Sequence, residues 1–241
     1  MDRALAIFGR YPHRGKVKTR LEKEIGADRA LQIYSAFLLD TLEKFLCLEV
    51  EVFLFLADSS ESEAEDFKSQ HGLPERLHIS RQRGRDLGER MWNGYRHLQS
   101  QGFPGVVFIG SDTPTLPMGI VLQAFQILGT GSTVVGPVED GGYYLLGLWE
   151  PRCDLFKGID WGTERVLGQT LARLHPDEFQ ELPLWYDIDR KDDLQRLWEE
   201  IGQSEDPPFR TAKVLRGWSL SDQSIIFEQE SRHGHESVEK K

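Results

Sequence analysis

Apolar residues fall along this chain in short unbroken runs, separated by stretches with the period of a helix. Ala4 to Phe8, Val50 to Leu56 and Gly105 to Ile109 are the clearest runs. Such continuity predicts strands covered on both faces in a parallel sheet, where no alternation with polar residues is needed. The second run starts as alternation (Glu49, Val50, Glu51, Val52) and becomes continuously apolar from Val52, as expected where a strand enters the middle of a sheet. Between the first two runs, Asp28 to Cys47 places Leu31, Tyr34, Leu38, Leu42 and Phe45 at steps of three and four. This spacing predicts an amphipathic helix with Asp28 as N-cap. Ser60 to Gln70 reads as a polar, acidic helix, and Asp86 to Gln99 as another, opened by the capping-box pattern Asp86 to Glu89.

After Thr133 the rhythm changes. Thr133 to Pro137 and Tyr143 to Leu148 are strand-like runs separated only by Val138 to Gly142, which predicts a hairpin and an antiparallel element in the sheet. Further on, Thr163 to Leu174 reads as a helix with Thr163 as N-cap, Phe179 to Tyr186 as extended, and Arg190 to Ile201 as a helix. Pro207 and Pro208 break the chain before a last short helix, Phe209 to Trp218. The expected architecture is a single three-layer α/β/α domain over residues 1–218, with a mixed, mainly parallel sheet and a polar C-terminal tail at 219–241.

Composition narrows the function classes. With 39% hydrophobic and 28% charged residues, the 241-residue chain is ordinary for a globular protein. No apolar stretch is long enough to span a bilayer and no secretory leader is evident, so a cytoplasmic protein without membrane partners is expected. Cys47 and Cys153 lack metal-type spacing and read as packing residues in a reducing compartment. The net charge of -10 argues against nonspecific binding to nucleic acid or anionic lipid, yet leaves a small phosphorylated ligand open.

Against that acidic background, Arg10 to Arg20 (RYPHRGKVKTR) carries five Lys or Arg and no acid. The run follows the first strand directly, and ligands of open α/β sheets bind beyond the carboxyl ends of strands. It reads as an anion site, with a solvated basic turn as the alternative. Gly9, Gly15 and Lys16 invite comparison with a P-loop, but five residues separate the glycines and Val17 follows the lysine, where four and a Ser or Thr are needed. Side chains must therefore grip the anion, with Arg10, Lys18 and Arg20 the best placed and Pro12 and Gly15 shaping the turn.

Carboxylates supply the counterpart. Ser111 and Asp112 follow the third apolar run, where a carboxylate suits magnesium or manganese, although Asp112 also reads as a turn or cap residue. Asp187 and Asp189 are two apart in an extended segment and so share a face, an arrangement that a cation would relieve. Asp189 reads equally as an N-cap. Asp140-Gly141-Gly142-Tyr143 is either an ordinary hairpin turn or a substrate site where Tyr143 or Tyr144 meets a sugar or acceptor. In Arg83 to Arg90, a glycine-rich helix start makes Gly84 and Arg85 candidate nucleotide contacts. No Gly-x-Ser-x-Gly elbow occurs, the seven histidines show no convergent spacing, and His13, His71 and His97 read as surface residues.

In order along the chain, FGRYPHRGKVKTRL, QRGRDLGERM, FIGSDTPTLP, GPVEDGGYYLLG, the Trp161-Gly162-Thr163 turn and YDIDRKDDL resemble a bacterial family of GT-A-like nucleotide-diphospho-sugar transferases, often labelled glycosyltransferases. The match runs from about Arg3 to Gly217. It is distantly similar to molybdenum-cofactor nucleotidyltransferases and phospholactate guanylyltransferases. The resemblance implies a GT-A type fold and Mg2+ or Mn2+ held by Asp112, Asp187 and Asp189. It also implies nucleotide phosphates on Arg10, Gly15, Lys18 and Arg20, with Ser111 close by and Gly84, Leu87 and Gly88 beside the base or ribose. Lys18 and Asp112 would be the catalytic pair. Asp140, Gly141, Gly142, Tyr143, Trp161, Gly162 and Thr163 would lie near a small-molecule acceptor. The chain departs from the nucleotidyltransferases in lacking a glycine-rich first loop, and from glycosyltransferases in having Asp112-Thr113-Pro114 where Asp-x-Asp is usual. The implied activity is metal-dependent transfer from a nucleotide-activated donor: nucleotidyl transfer from an NTP to a phosphorylated acceptor, or glycosyl transfer from a nucleotide sugar. A non-catalytic nucleotide-binding module is the third reading.

Overall fold

The computed structural model describes residues 2–221, with side chains to residue 218. Its centre is a seven-stranded sheet of β1 (Arg3–Arg10), β2 (Glu51–Ala57), β3 (Leu77–Arg81), β4 (Gly105–Gly110), β5 (Thr133–Pro137), β6 (Tyr143–Leu148) and β7 (Phe179–Glu181), in the order β3-β2-β1-β4-β6-β5-β7. The hairpin strand β6 runs antiparallel to β4 and β5, and all other pairings are parallel. Ala4, Leu5, Ala6 and Ile7 of β1 are fully buried, as their unbroken apolar run requires of a strand covered on both faces. Ile7 pairs with Leu54 on one side and Ile109 on the other. This register brings the basic loop after β1 and the Asp112 loop after β4 to the same edge of the sheet.

Helices α1 (Thr19–Ile25), α2 (Ala27–Phe45), α3 (Glu61–His71), α4 (Leu87–Ser100), α5 (Met118–Leu128), α6 (Val166–Leu171), α7 (Lys191–Gln203) and α8 (Phe209–Ser221) complete the described chain. On one face of the sheet, Leu38 and Leu42 of α2, Phe67 of α3 and Phe125 of α5 pack with Leu5, Ile7 and Leu54. The other face joins Phe53, Phe55 and Phe108 to Met91, Tyr95 and Leu98 of α4. A third cluster packs Leu21 of α1 and Phe37 of α2 against Ile188, Leu197 of α7 and Leu215 of α8, and so ties α7 and α8 to the helix that follows the basic loop. Burying apolar area in these clusters contributes roughly 25 cal/mol per Å².

Several elements differ from expectation. Asp28 lies inside the first turn of α2 and its carboxylate meets Arg14; the N-cap is Gly26, whose positive φ of 88° turns the chain directly out of α1. Asp86 does cap α4, accepting from the Glu89 amide at 2.8 Å, but the Glu89 carboxylate turns to Arg85 and closes no reciprocal box. The reciprocal box is at Ser60 and Glu63, opening α3. Only Val166–Leu171 of the expected Thr163–Leu174 helix is α-helical, because the Thr163 hydroxyl donates to the Asp160 carbonyl at 2.7 Å and closes a separate turn. Three residues of Phe179 to Tyr186 form β7, and the rest is extended without a full ladder. Cys47 is exposed and so is no packing residue. Helix α8 reaches Ser221, into the segment read as tail; residues 222–241 lie outside the described residues. Among the described residues no helix is long and apolar enough to cross a membrane.

Candidate active site

At the carboxyl ends of β1 and β4 an open cleft of about 460 Å³ is walled by the basic loop, the Asp112 loop, the first turn of α4 and β6. Arg10, Lys18, Arg20, Ser111, Asp112 and Asp189 all line it. So do Leu87 and Tyr143. Residues separated by more than 170 positions meet here because β1 and β4 are neighbours and the segment after β7 runs back alongside them. Leu182 and Trp185 donate backbone hydrogen bonds to Val135 and Pro137 of β5, and Ile188 donates to the Asp112 carbonyl at 3.2 Å. Tyr186 and Ile188 are buried in the third core cluster, which leaves the alternate residues Asp187 and Asp189 to face the other way.

Lys18 is the centre of the site. Its side chain is only 2% exposed, and its Nζ lies 2.9 Å from Asp112 Oδ1 and 3.0 Å from Asp189 Oδ1. The backbone of Lys18 is left-handed, with φ 48° and ψ 47°, a conformation that costs a non-glycine residue of order 1–3 kcal/mol. The same residue is the N-cap of α1, so the turn that starts this helix also drives the ammonium inward. Burial alone would depress the Lys18 pKa; the Asp112 and Asp189 carboxylates outweigh it and hold the group above an ordinary lysine. Asp189 is disfavoured as a charge by burial but held below the usual carboxylate range by Lys18 and Arg20, whose Nη1 is 3.4 Å away. At Asp187 the pull of the Lys18 charge is outweighed. Burial first, and the Asp112 charge second, push it up to about 7.

A buried phenol ties the two loops together. Tyr34 Oη accepts from the Arg10 amide at 2.6 Å, donates to the Arg10 carbonyl at 3.0 Å and lies 3.2 Å from Ser111 Oγ. Burial, with Asp112 nearby, pushes its pKa up to about 12, so it remains a neutral hydroxyl. Gln82 does similar work on the far wall, donating to the Gly9 and Phe55 carbonyls at 3.0 and 2.9 Å. The sequence singled out neither as a site residue: Tyr34 shares its spacing with the core residues of α2, and Gln82 follows a strand whose five residues carry little apolar pattern. Lys16 and Arg90 also line the cleft.

Much of the basic run is already partnered. Arg10 meets Asp58 at 2.6 Å, Arg14 meets Asp28 at 2.6 Å, and Lys18 and Arg20 share Asp189. Arg14 is paired as the solvated-turn alternative expects and is not among the cleft residues, whereas Arg10, Lys16, Lys18 and Arg20 all line the cleft. Gly15 adopts φ 76° within the turn and does not line the cleft.

Other expected contacts lie outside the cleft lining. A Cβ on Gly88 would sit 2.3 Å from the Phe156 carbonyl oxygen and 2.5 Å from the Trp161 indole nitrogen, so this glycine lets α4 pack against that segment. Gly84 presses on the backbone of Glu89 and Arg90. Asp140, Gly141 and Gly142 form the β5–β6 turn: Asp140 accepts from the Gly142 amide at 3.0 Å, and a Cβ on Gly141 would meet the Glu164 carbonyl oxygen at 2.2 Å. Trp161 stands edge-on to Tyr143 with ring centroids 6.3 Å apart. Gly162 and Thr163 belong to the turn before α6. Of the expected acceptor residues, the structure brings Tyr143 alone to the cleft.

The Asp112 and Asp189 carboxylates beside Lys18 offer oxygen ligands, the donor chemistry of magnesium and manganese. Asp112 Oδ1 is sealed from solvent, and its partner is the Lys18 ammonium 2.9 Å away. Among the described residues, however, no three carboxylate, histidine or cysteine side chains already stand together as a metal cage. The ammonium is the cation that Asp112 and Asp189 share.

A family model described as "uncharacterized protein conserved in bacteria (DUF2064)" matches residues 39–163, from within α2 to the turn before α6. The chain belongs to the DUF2064 family. A solved structure from Desulfovibrio desulfuricans G20, described as a candidate nucleotide-diphospho-sugar transferase, is 32% identical, covers 91% of this chain and 96% of its own, and superposes with a TM-score of 0.83. More distant are the molybdopterin-guanine dinucleotide biosynthesis protein A of Archaeoglobus fulgidus (16% identity, 83% and 100% covered, TM-score 0.55) and a cytidylyltransferase of Leptospira borgpetersenii (15% identity, 95% and 98% covered, TM-score 0.52). These two likenesses are of fold: the mixed, mainly parallel sheet with its helices is that of the nucleotide-diphospho-sugar transferases. No curated protein matches the sequence significantly.

Proposed function

We propose that this member of the family is a transferase that takes a nucleotide-activated donor in the cleft after β1 and β4. The observation that carries the reading is the buried Lys18 ammonium, held at about 3 Å from Asp112 and Asp189 with Lys16 and Arg20 on the same cleft wall. A strained backbone and a desolvated charge cluster are costly for the fold, and such features gather where charge is handled. The 32%-identical Desulfovibrio protein supports the transferase class.

Nucleotidyl transfer is the form the charges favour. An acceptor phosphate oxygen would attack the α-phosphorus of an NTP, the bond from that phosphorus to the bridging oxygen would break, and pyrophosphate would leave. Lys16, Lys18 and Arg20 would neutralise the triphosphate, and Tyr34 and Ser111 would keep the two loops at fixed spacing, so that catalysis is positioning and charge stabilisation. Asp112, with Asp187 and Asp189, would hold a divalent cation, which when bound supplies further positive charge to the phosphates. Glycosyl transfer is the second reading, favoured by the description of the Desulfovibrio relative. There the acceptor would attack the sugar carbon and a nucleoside diphosphate would leave.

Phosphorus NMR of the protein incubated with manganese, each NTP or nucleotide sugar, and pooled phosphorylated acceptors separates the two. Pyrophosphate release is the expected outcome; nucleoside diphosphate release would establish glycosyl transfer instead. No turnover with any donor would contradict the enzyme reading.

A further inference from the structure

A second, larger depression of about 870 Å³ wraps the sheet edge at β3, between α3 and α4. Lys68, Arg81, Arg83, Arg90 and Arg96 line it against only two acids, Glu61 and Glu65, in a chain whose net charge is -10. Its basic character comes from one stretch: Arg76 to His97 holds six arginines and two acids. Lys68 is paired with Glu75 at 3.3 Å. By contrast, no described residue makes an ion pair or a side-chain hydrogen bond with the guanidinium groups of Arg81, Arg83 or Arg96, all of which are exposed. Several uncompensated guanidiniums around one concavity raise the local potential and attract anions.

We infer that this trough binds a phosphorylated small molecule other than the nucleotide in the cleft. Planar guanidiniums match phosphate oxygens in pairs, which singles out Arg81, Arg83 and Arg96 as the contacts. The volume is that of a small-molecule site. A single-stranded nucleic acid is the wrong occupant, because such grooves offer aromatic faces for stacking. Here the aromatic ring of Phe55 is 3% exposed at the floor and covered edge-on by His97. Arg90 lines the trough and the cleft alike, and its Nε donates to the Gly84 carbonyl at 3.2 Å.

Calorimetric titration of the full chain with inorganic tripolyphosphate tests the inference. Two sites are expected. Arg83→Gln with Arg96→Gln should weaken one at least tenfold, and Lys16→Gln with Arg20→Gln should weaken the other; all four residues are exposed, and an unchanged melting temperature verifies that the fold persists. Arg81→Gln serves as a second trough variant. Two sites of unaltered affinity in both trough variants would overturn the inference, as would a single site lost only with the cleft variant. A single site lost only with the trough variants would support the trough while removing phosphate binding from the cleft. Repeating the titration with a hexose phosphate and with a nucleoside monophosphate separates the two sources of the phosphate: the ligand whose binding falls with Arg83→Gln and Arg96→Gln is the class the trough takes.

Discussion

Lys18 concentrates the chemistry of the molecule in one side chain. Its strain, burial and charge would each be unfavourable alone, and each is offset by a neighbour: α1 begins at the left-handed turn, and two carboxylates replace the lost water. Removing the Lys18 ammonium leaves two carboxylates that are still 40% and 36% exposed, so water offsets part of the cost of breaking the cluster. Lys18→Met should therefore destabilise the fold by about 1–3 kcal/mol in urea denaturation, and manganese should restore part of that loss. A cost below about 1 kcal/mol would show that the carboxylates relax into water and that the cluster is not built around the ammonium. At this scale the sequence was legible in residue type and opaque in pairing. Lys18, Asp112 and Asp189 were each marked, but as phosphate contact and metal ligands; that they meet one another depends on strand order, which no local pattern encodes.

Among elements, α4 shows how packing outside the cleft sets the cleft's shape. Its first turn supplies Leu87, Arg90 and Met91 to the cleft wall, and Gly88 between them lets the helix touch Phe156 and Trp161. Gly88→Ala should lift that turn and cost roughly 1–3 kcal/mol through overpacking, with weaker nucleotide binding. Gly168→Ala, on the exposed face of α6 with open space around it, should gain roughly 0.4–1 kcal/mol by restricting the unfolded chain. Thermal unfolding of the two variants checks the contrast, and equal effects would remove the packing role assigned to Gly88. The periodic elements β1, β2, β4, α2 and α4 were legible because burial on both faces, or on one stripe, leaves a repeating trace. Short or mixed segments left none: β3 is five residues with one fully buried position, and α1 hides inside a run whose charge drew the reading to loop chemistry. Thr163 closes a turn where its residue type suggests a helix start, because a threonine hydroxyl serves either.

Among the described residues of an acidic chain, basic side chains line two depressions, the cleft after β1 and the trough at the edge around β3, which share Arg90. The parallel strands deliver the basic loop to the carboxylates of the Asp112 loop, and the chain's return past β5 closes the cluster with Asp187 and Asp189. This cluster and the basic loop together are proposed to bind a metal-nucleotide. Thermal shift with a nucleoside triphosphate, with and without manganese, on the wild-type chain and on Asp112→Ala tests it most directly. The expected result is a rise in melting temperature with the triphosphate that manganese enlarges, and loss of the manganese-dependent part in Asp112→Ala. Manganese dependence that is equal in both proteins, or no shift with any triphosphate, would contradict it.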